Sequence, residues 1–239
     1  MLQLVYSDFD RWQGNWRALA RGWLSAQEQA RLSRFGSAHR RDQFLAGRLL
    51  IRQLVADVFT CPPADIRLAA TAPVRARRSD DSPLCFVSIS HSAHSVAVAL
   101  AAQPVGIDCE RLARRRNWRG ICSQYFAADE AAWLLRLPPE KAEAEFLRSW
   151  TAKEALSKCT GVDLGMTLTE GRLVRGVAHW SGRFARCRAW SGPLTDGLQV
   201  GLVCEGGPAG LRPDCRYWSG PDNTSGEKVI AFTPIPRRS

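Results

Sequence analysis

The side chains best placed to do chemistry lie in the run 146–161. If this run forms a helix, Trp150, Glu154 and Lys158 follow one another at four-residue spacing and share one face. An acid, a base and a large aromatic ring along one stripe is unusual for a solvated helix face. The alternative is an ordinary surface helix with a Glu154–Lys158 pair, which stabilises a helix by only about 0.3–0.5 kcal/mol.

A second chemical motif lies upstream, where Val105–Glu110 reads as a short apolar strand that contains two carboxylates. Asp108 and Glu110 are two residues apart, so in a strand they point to the same side. Alone, such a pair is also typical of an exposed sheet edge. Combined with Glu154, the carboxylates come from two rigid elements and have lysines nearby, which suits a divalent cation that holds a phosphate ester.

In this order, the two motifs resemble the paired signature of the Sfp-type 4'-phosphopantetheinyl transferases. The strand motif reads Val-Gly-Ile-Asp-Cys-Glu over 105–110, and the helix motif comprises Phe146, Trp150, Lys153, Glu154, Ala155, Lys158 and Gly161. The run Ser-Ile-Ser-His-Ser at 88–92 and the arginine-rich run 40–48 resemble two further elements of the family. The resemblance covers residues 25–161, and residues 165–239 carry no motif that extends it.

The resemblance implies a reaction and a role for each residue. The 4'-phosphopantetheine group of coenzyme A is transferred to a serine of an apo acyl or peptidyl carrier protein, and adenosine 3',5'-bisphosphate is released. Asp108, Glu110 and Glu154 are the implied ligands of Mg²⁺, for which Mn²⁺ can substitute. Glu154, or a water that it orients, is the implied general base, and Lys158 is the implied contact that assists the leaving group.

Coenzyme binding is assigned on the same resemblance. The implied contacts to coenzyme A are Arg31, Arg41, Arg48, Ser90, His91, Lys153 and Lys158. Which arginine binds which phosphate stays open, and Arg48 and Arg52 are also compatible with facing outward. Two departures from the family pattern affect the coenzyme contacts: Thr71-Ala72-Pro73 lacks the lysine of a Gly-Lys-Pro element, and Asp163 replaces a glycine.

Composition narrows the classes of partner. The 239 residues carry a net charge of +10, but the basic clusters are not interleaved with aromatic residues and match no nucleic-acid-binding module. We therefore expect no nucleic acid as a partner, and the family resemblance implies two anionic partners, coenzyme A and an acidic carrier protein. No apolar run approaches the ~18 residues that span a bilayer, and the N-terminus lacks a signal-peptide pattern, so we expect a cytoplasmic protein with no membrane contact. We also expect a monomer. The eight cysteines form no Cys-x-x-Cys pair, which favours reduced, buried thiols.

The element pattern predicts an α+β fold. Helices are expected over 25–35, 38–59, 129–137 and 138–161, and strands over 86–90, 96–101, 105–110, 168–174, 183–190 and 198–204. A long helix followed by strands occurs twice, which agrees with the family's two similar α+β halves, related by a pseudo-two-fold with the active site at their interface. We place the halves at 1–104, for coenzyme phosphate recognition, and 105–239, for the metal strand and the catalytic helix.

Two other functions are compatible with parts of the sequence. A degenerate homologue could bind carrier proteins or coenzyme A without transferring anything, but such a protein has no need of Asp108, Glu110, Glu154 and both lysines together. A basic nucleic-acid-binding protein would show strong non-specific DNA affinity that falls steeply with salt.

Overall fold

The computed structural model describes residues 1–111, 117–194, 197–208, 210–221 and 232–237, and the main chain of residues 227–228. The helices in this part of the chain are α1 (Trp16–Gly22), α2 (Ala26–Ser33), α3 (Ala38–Phe59), α4 (Trp118–Tyr125), α5 (Ala128–Arg136), α6 (Pro139–Thr160) and α7 (Leu164–Glu170). The strands are β1 (Leu2–Asp8), β2 (Arg67–Leu68), β3 (Val74–Arg77), β4 (Pro83–Ser92), β5 (Ser95–Ala101), β6 (Val105–Arg111), β7 (Leu173–Val174), β8 (Val177–Ala178), β9 (Cys187–Pro193), β10 (Leu198–Glu205), β11 (Asp214–Tyr217), β12 (Glu227–Lys228) and β13 (Thr233–Pro234). The α+β class is confirmed.

The helix boundaries follow from local capping. Ser25 and Glu28 form the expected capping box, in which each side chain accepts a hydrogen bond from the other's backbone N–H at the start of α2. Helix α6 begins at a proline, which lacks the N–H that a first turn leaves unpaired. It ends at Gly161, whose φ of +72° is a left-handed conformation that glycine adopts without strain. The predicted helices 38–59 and 138–161 are therefore confirmed.

Four of the predicted strands are confirmed, and the two predicted between α6 and β10 are confirmed only in part. Strands β4, β5, β6 and β10 contain the expected runs. The predicted strand 168–174 is wrong over its first part, where the helix α7 ends and only Leu173–Val174 is extended. Asp163 explains the difference, because its side chain accepts a hydrogen bond from Gly165 N–H at 2.8 Å and caps the start of α7. The predicted strand 183–190 begins only at Cys187, after a short 3-10 turn.

The sheets and helices form four layers. A seven-stranded sheet has the order β12-β11-β1-β5-β4-β3-β2, and a four-stranded sheet has the order β13-β9-β10-β6. One face of the larger sheet packs on α1, α2 and α3 through residues such as Val87 and Val98. Its other face, which includes Ala97 and Ala99, packs on the smaller sheet, and the smaller sheet packs on α6. Small alanines between the two sheets allow them to lie close together.

The C-terminal segment crosses back to the first sheet. Strand β11 pairs with β1 in parallel, and β12 pairs with β11, so both belong to the seven-stranded sheet. The expected half 105–239 therefore needs a correction, because its last strands before β13 lie in the sheet of the first half. Local patterns give no sign of this return, since a parallel pairing links residues 2–8 to residues 214–217.

The eight cysteines are all free, and all but Cys61 are buried, as expected for reduced thiols. Within the described ranges, no helix combines the length and the apolar character needed to cross a bilayer.

Candidate active site

Three serines of β4 join the two sheets at the edge of β6. The hydroxyls of Ser88, Ser90 and Ser92 accept hydrogen bonds from the backbone N–H groups of Ile107 (3.0 Å), Cys109 (3.2 Å) and Arg111 (3.2 Å). Because side chains alternate along a strand, serines two residues apart all point to β6. The other edge of β6 pairs with β10, so this serine ladder supplies partners for N–H groups that would otherwise be buried unpaired.

The same hydroxyls position the two carboxylates of β6. Ser90 donates to Asp108 Oδ1 at 2.8 Å, and Ser92 donates to Glu110 Oε2 at 3.2 Å. A hydroxyl has one proton to donate, so the proton of Ser90 is committed to Asp108. The structure thus gives Ser90 a positioning role in place of the predicted phosphate contact.

Helix α6 lies directly on β6 and β10 at two glycines. A Cβ on Gly106 would lie 1.9 Å from the carbonyl oxygen of Ala155, and a Cβ on Gly201 would lie 2.5 Å from the carbonyl carbon of Thr151. Both glycines therefore allow helix and sheet backbones to touch. Alternation along β6 turns Asp108 and Glu110 to the same face as Gly106, which is the face that α6 covers.

Lys158 projects from α6 onto Asp108. Its Nζ donates to Asp108 Oδ1 at 2.8 Å and to the carbonyl oxygen of Ile107 at 3.0 Å. Burial opposes the charged ammonium, but the charge and hydrogen bond of Asp108, with the charge of Glu154, outweigh it and raise the pKa of Lys158. Lys158 is therefore a cation at neutral pH, with carboxylates of both β6 and α6 close to it.

The carboxylate chemistry fits a hard divalent cation, although the ligand set is not assembled. Asp108 is 5% exposed, and in the described structure its Oδ2 accepts no hydrogen bond. A buried carboxylate oxygen without a partner is costly unless a cation or donor completes it. Among the residues with described placement, no three His, Cys, Asp or Glu side chains converge closely enough to hold a metal ion. The predicted set of Asp108, Glu110 and Glu154 thus stays a proposal.

Lys153 does not join this group. Its side chain is fully buried, and its Nζ lies 2.8 Å from Glu130 Oε2 and donates to the carbonyl oxygen of Leu168 at 2.6 Å. The ammonium also lies 4.4 Å from the ring centroid of Phe126. The prediction that Lys153 binds a coenzyme phosphate is therefore corrected, because a buried and paired ammonium cannot reach a ligand in this arrangement.

The predicted arginines divide between two places. Arg31 and Arg48 line one cavity of about 370 Å³, together with Arg34, which the sequence reasoning missed. Arg48 is paired with Glu28 at 2.7 Å, so it does not face outward. Arg41 instead donates to the carbonyl oxygen of Phe35 at 2.7 Å and closes the turn between α2 and α3.

Arg52 is buried beside Glu28, which also lines that cavity. It is 1% exposed, and its guanidinium lies 2.5 Å from Glu28 Oε2. Glu28 thus binds two arginines of α3. This placement excludes the alternative that Arg52 faces outward.

His91 lies on the opposite face of β4 from the serine ladder, on the side of α3. Burial, together with the positive charges of Arg40 and Lys158, lowers the pKa of His91, although a bond to its own backbone and the charge of Asp108 oppose this. The imidazole is therefore neutral at neutral pH and can donate a hydrogen bond to an anion from one nitrogen.

Comparisons with known proteins match the chain to one family. Residues 104–188 match the family described as the 4'-phosphopantetheinyl transferase superfamily, and residues 10–105 match the family described as 4'-phosphopantetheinyl transferase, N-terminal. The chain belongs to the 4'-phosphopantetheinyl transferase superfamily. The two matches confirm the enzyme class, and the presence of two adjoining family models indicates two halves.

Individual relatives carry the same name. The chain is 29% identical over 170 residues to 4'-phosphopantetheinyl transferase HetI of Nostoc sp., and the aligned region covers 66% of this chain and 71% of the relative. It is 29% identical over 157 residues to 4'-phosphopantetheinyl transferase ffp of Bacillus subtilis (61% and 69%). It is 32% identical over 123 residues to 4'-phosphopantetheinyl transferase AcpT of Escherichia coli (51% and 59%).

Sequence reasoning missed several residues that the structure brings into play. Ser88 and Ser92 were visible as a period-two series with Ser90, and that spacing alone could have indicated a shared role. Gly201 carries no local signal, because its importance comes from the approach of α6. Glu130 stands out only as an acid beside the apolar residues of α5.

Proposed function

We propose that this enzyme transfers the 4'-phosphopantetheine group from coenzyme A to a serine of an apo acyl or peptidyl carrier protein, in a reaction that depends on Mg²⁺. The observation that carries the proposal is the setting of Asp108. A serine of one sheet and a lysine of α6 both bind its Oδ1, while its buried Oδ2 accepts no hydrogen bond from the described residues.

The residues divide the reaction between them. Asp108, Glu110 and Glu154 would hold the cation, which supplies neutralising charge to the coenzyme's pyrophosphate when it is bound. The carrier serine oxygen attacks the phosphorus that bears the pantetheine arm, and the bond from that phosphorus to the bridging oxygen of the pyrophosphate breaks. The electron pair leaves with adenosine 3',5'-bisphosphate, and the serine proton passes to Glu154 or to a water that Glu154 orients.

Lys158 is suited to the leaving group. Its raised pKa keeps it cationic, and its contact with Asp108 fixes it beside the carboxylates. A fixed positive charge stabilises the negative charge that grows on the departing phosphate, and this stabilisation is stronger in the transition state than in the ground state.

Coenzyme and carrier recognition follow from charge. We assign Arg31 and Arg48 to the coenzyme phosphates, because both line one cavity and a guanidinium group can bind two phosphate oxygens at once. His91 is assigned to the same ligand as a neutral donor. The net charge of +10 favours encounter with an acidic carrier, an effect that salt weakens. Monomeric state and cytoplasmic location stay predictions.

The test is the intact mass of apo carrier proteins after incubation with the enzyme, coenzyme A and Mg²⁺. We expect at least one carrier of a fatty-acid, polyketide and peptide-synthesis panel to gain the mass of one phosphopantetheine group. Controls are EDTA and a carrier whose acceptor serine is replaced by alanine. An enzyme that is folded and binds coenzyme A, yet modifies no carrier of the panel, would support the non-catalytic binding protein instead.

A further inference from the structure

A buried ion pair between α5 and α6 has no part in the proposed chemistry. The side chains of Lys153 and Glu130 are each 0% exposed, and their charged atoms are 2.8 Å apart. The partners of Lys153 come from α5, from α7 through Leu168, and from Phe126 just before α5. We propose that Glu130 and Lys153 are positioning residues whose ion pair fixes the rotation of α6 and thereby the direction of Glu154. This inference rests on the proposed function.

The geometry of three consecutive residues supports this role. Successive residues of a helix are rotated by about 100°, so Lys153 and Ala155 lie on either side of Glu154. Ala155 is held on the sheet side, where its carbonyl oxygen lies over Gly106. Lys153 is held on the other side by α5 and α7. A rotation of α6 that moved Glu154 away from β6 would have to break one of these two attachments.

An ion pair suits this task better than it suits stabilisation. Burial lowers the pKa of Lys153 and raises the pKa of Glu130, and the charge of each partner opposes these shifts. Burial therefore works against the charged state of the pair, and replacing such pairs by apolar residues is often neutral or stabilising. Apolar contacts are not directional, however, whereas the ammonium has defined partners on two neighbouring helices. The pair therefore specifies the orientation of α6 more than it adds to stability.

The experiment replaces both partners by apolar residues of similar size. In the double variant Glu130→Leu/Lys153→Met, no buried charge is left without a partner, but the carbonyl oxygen of Leu168 loses its donor. We therefore expect the protein to fold with a melting temperature close to that of the wild type. The dissociation constant for coenzyme A, measured by calorimetry, and the KM for coenzyme A should stay within about twofold. We expect kcat to fall by about ten- to a hundredfold, because a displacement of catalytic groups by up to 1 Å lowers the rate by about this much.

A matched control lies next to the pair. Asp129 precedes Glu130 on α5 and pairs with Arg172 at the surface, where both side chains are more than two-fifths exposed. Asp129→Asn removes a charge from the same helix without touching α6, so its kcat should equal that of the wild type. A double variant that is stable and keeps kcat within twofold of the wild type would overturn the inference and show that the pair is only structural.

A second measurement separates this inference from the proposed function. Hydrogen exchange followed by mass spectrometry should show faster exchange over 146–160 in the double variant, with no change over 38–59. If the wild type modifies no carrier, the proposed function fails while the exchange data still decide whether the pair holds α6. Unchanged exchange over 146–160 would contradict the positioning role.

Discussion

Replacing Gly106 by alanine tests the close contact between β6 and α6. The new Cβ would lie 1.9 Å from the carbonyl oxygen of Ala155 and 2.6 Å from the backbone nitrogen of Cys159. Both atoms belong to helix backbone, so no side chain can turn away. The helix has to move by about 1 Å to bring the shorter contact from 1.9 Å to the 3.0 Å that real Cβ atoms require.

Stability and activity should respond to this displacement by different amounts. Overpacking of this kind costs about 1–3 kcal/mol, which corresponds to about 2–12 °C in the melting temperature of a protein of this size. Because Glu154 and Lys158 ride on the displaced helix, kcat should fall by about a hundredfold, the effect of a 1 Å misplacement of catalytic groups. The folded fraction at the assay temperature would change far less than the rate.

The assay compares thermal unfolding and carrier modification for Gly106→Ala and a matched control. Gly22 ends α1, and a Cβ there would meet nothing within 4 Å. Gly22→Ala should therefore leave kcat unchanged and keep or raise stability, by up to about 1 kcal/mol. If Gly106→Ala matched the wild type in both melting temperature and kcat, α6 would not lie on β6 as described, and the reasoning from glycine contacts would be refuted.

Two further changes test the ladder and the arginine cluster. Ser90→Ala removes the donor to Asp108 and the acceptor for Cys109 N–H, so the free energy of unfolding should fall by about 1–3 kcal/mol and kcat should fall at least tenfold. Ser123→Ala, at an exposed position of α4, should change neither. A Ser90→Ala enzyme with the kcat of the wild type would show that the ladder does not position Asp108. Burial disfavours ionisation of Glu28, but the hydrogen bond and charge of Arg52 outweigh it and lower the pKa of Glu28. The ionised Glu28 therefore stabilises the folded protein fully above its ordinary pKa of 4.5, and this contribution is lost as the pH falls through the lowered pKa. Glu28→Gln leaves Arg52 buried without its anion and should lower the free energy of unfolding by about 3–5 kcal/mol at neutral pH. In denaturant titrations at decreasing pH, this variant should lose less stability than the wild type. Equal loss in the two proteins would contradict the role of Glu28 as the anion that pairs with Arg52.

The parts of the site that the sequence predicted depend on local periodicity. The spacing of Asp108 and Glu110 defined a shared face of β6, and the spacing of Glu154 and Lys158 defined a stripe of α6. Both readings need only the repeat of a strand or a helix. The contact of Lys158 with Asp108 then followed once α6 lay on β6.

The parts that it did not predict depend on tertiary contacts. Lys153 looked like a second phosphate-binding lysine, but its environment is set by Glu130, which lies 23 positions earlier and carries no local mark of burial. The sequence favours a phosphate contact for Ser90, whereas in the structure its hydroxyl donates to Asp108 Oδ1 at 2.8 Å. The return of β11 to β1 likewise joins segments that are more than 200 residues apart, which no window of sequence can show.

The most direct test of the site is the transfer activity of Asp108→Asn. This change keeps the size of the side chain and its ability to bond to Ser90, but it removes the charge that faces Lys158 and the proposed cation. We predict that this variant folds and binds coenzyme A but leaves the intact mass of an apo carrier unchanged. The control is the wild type, which should modify the same carrier fully under the same conditions. Modification at a rate near that of the wild type would contradict the central role of Asp108.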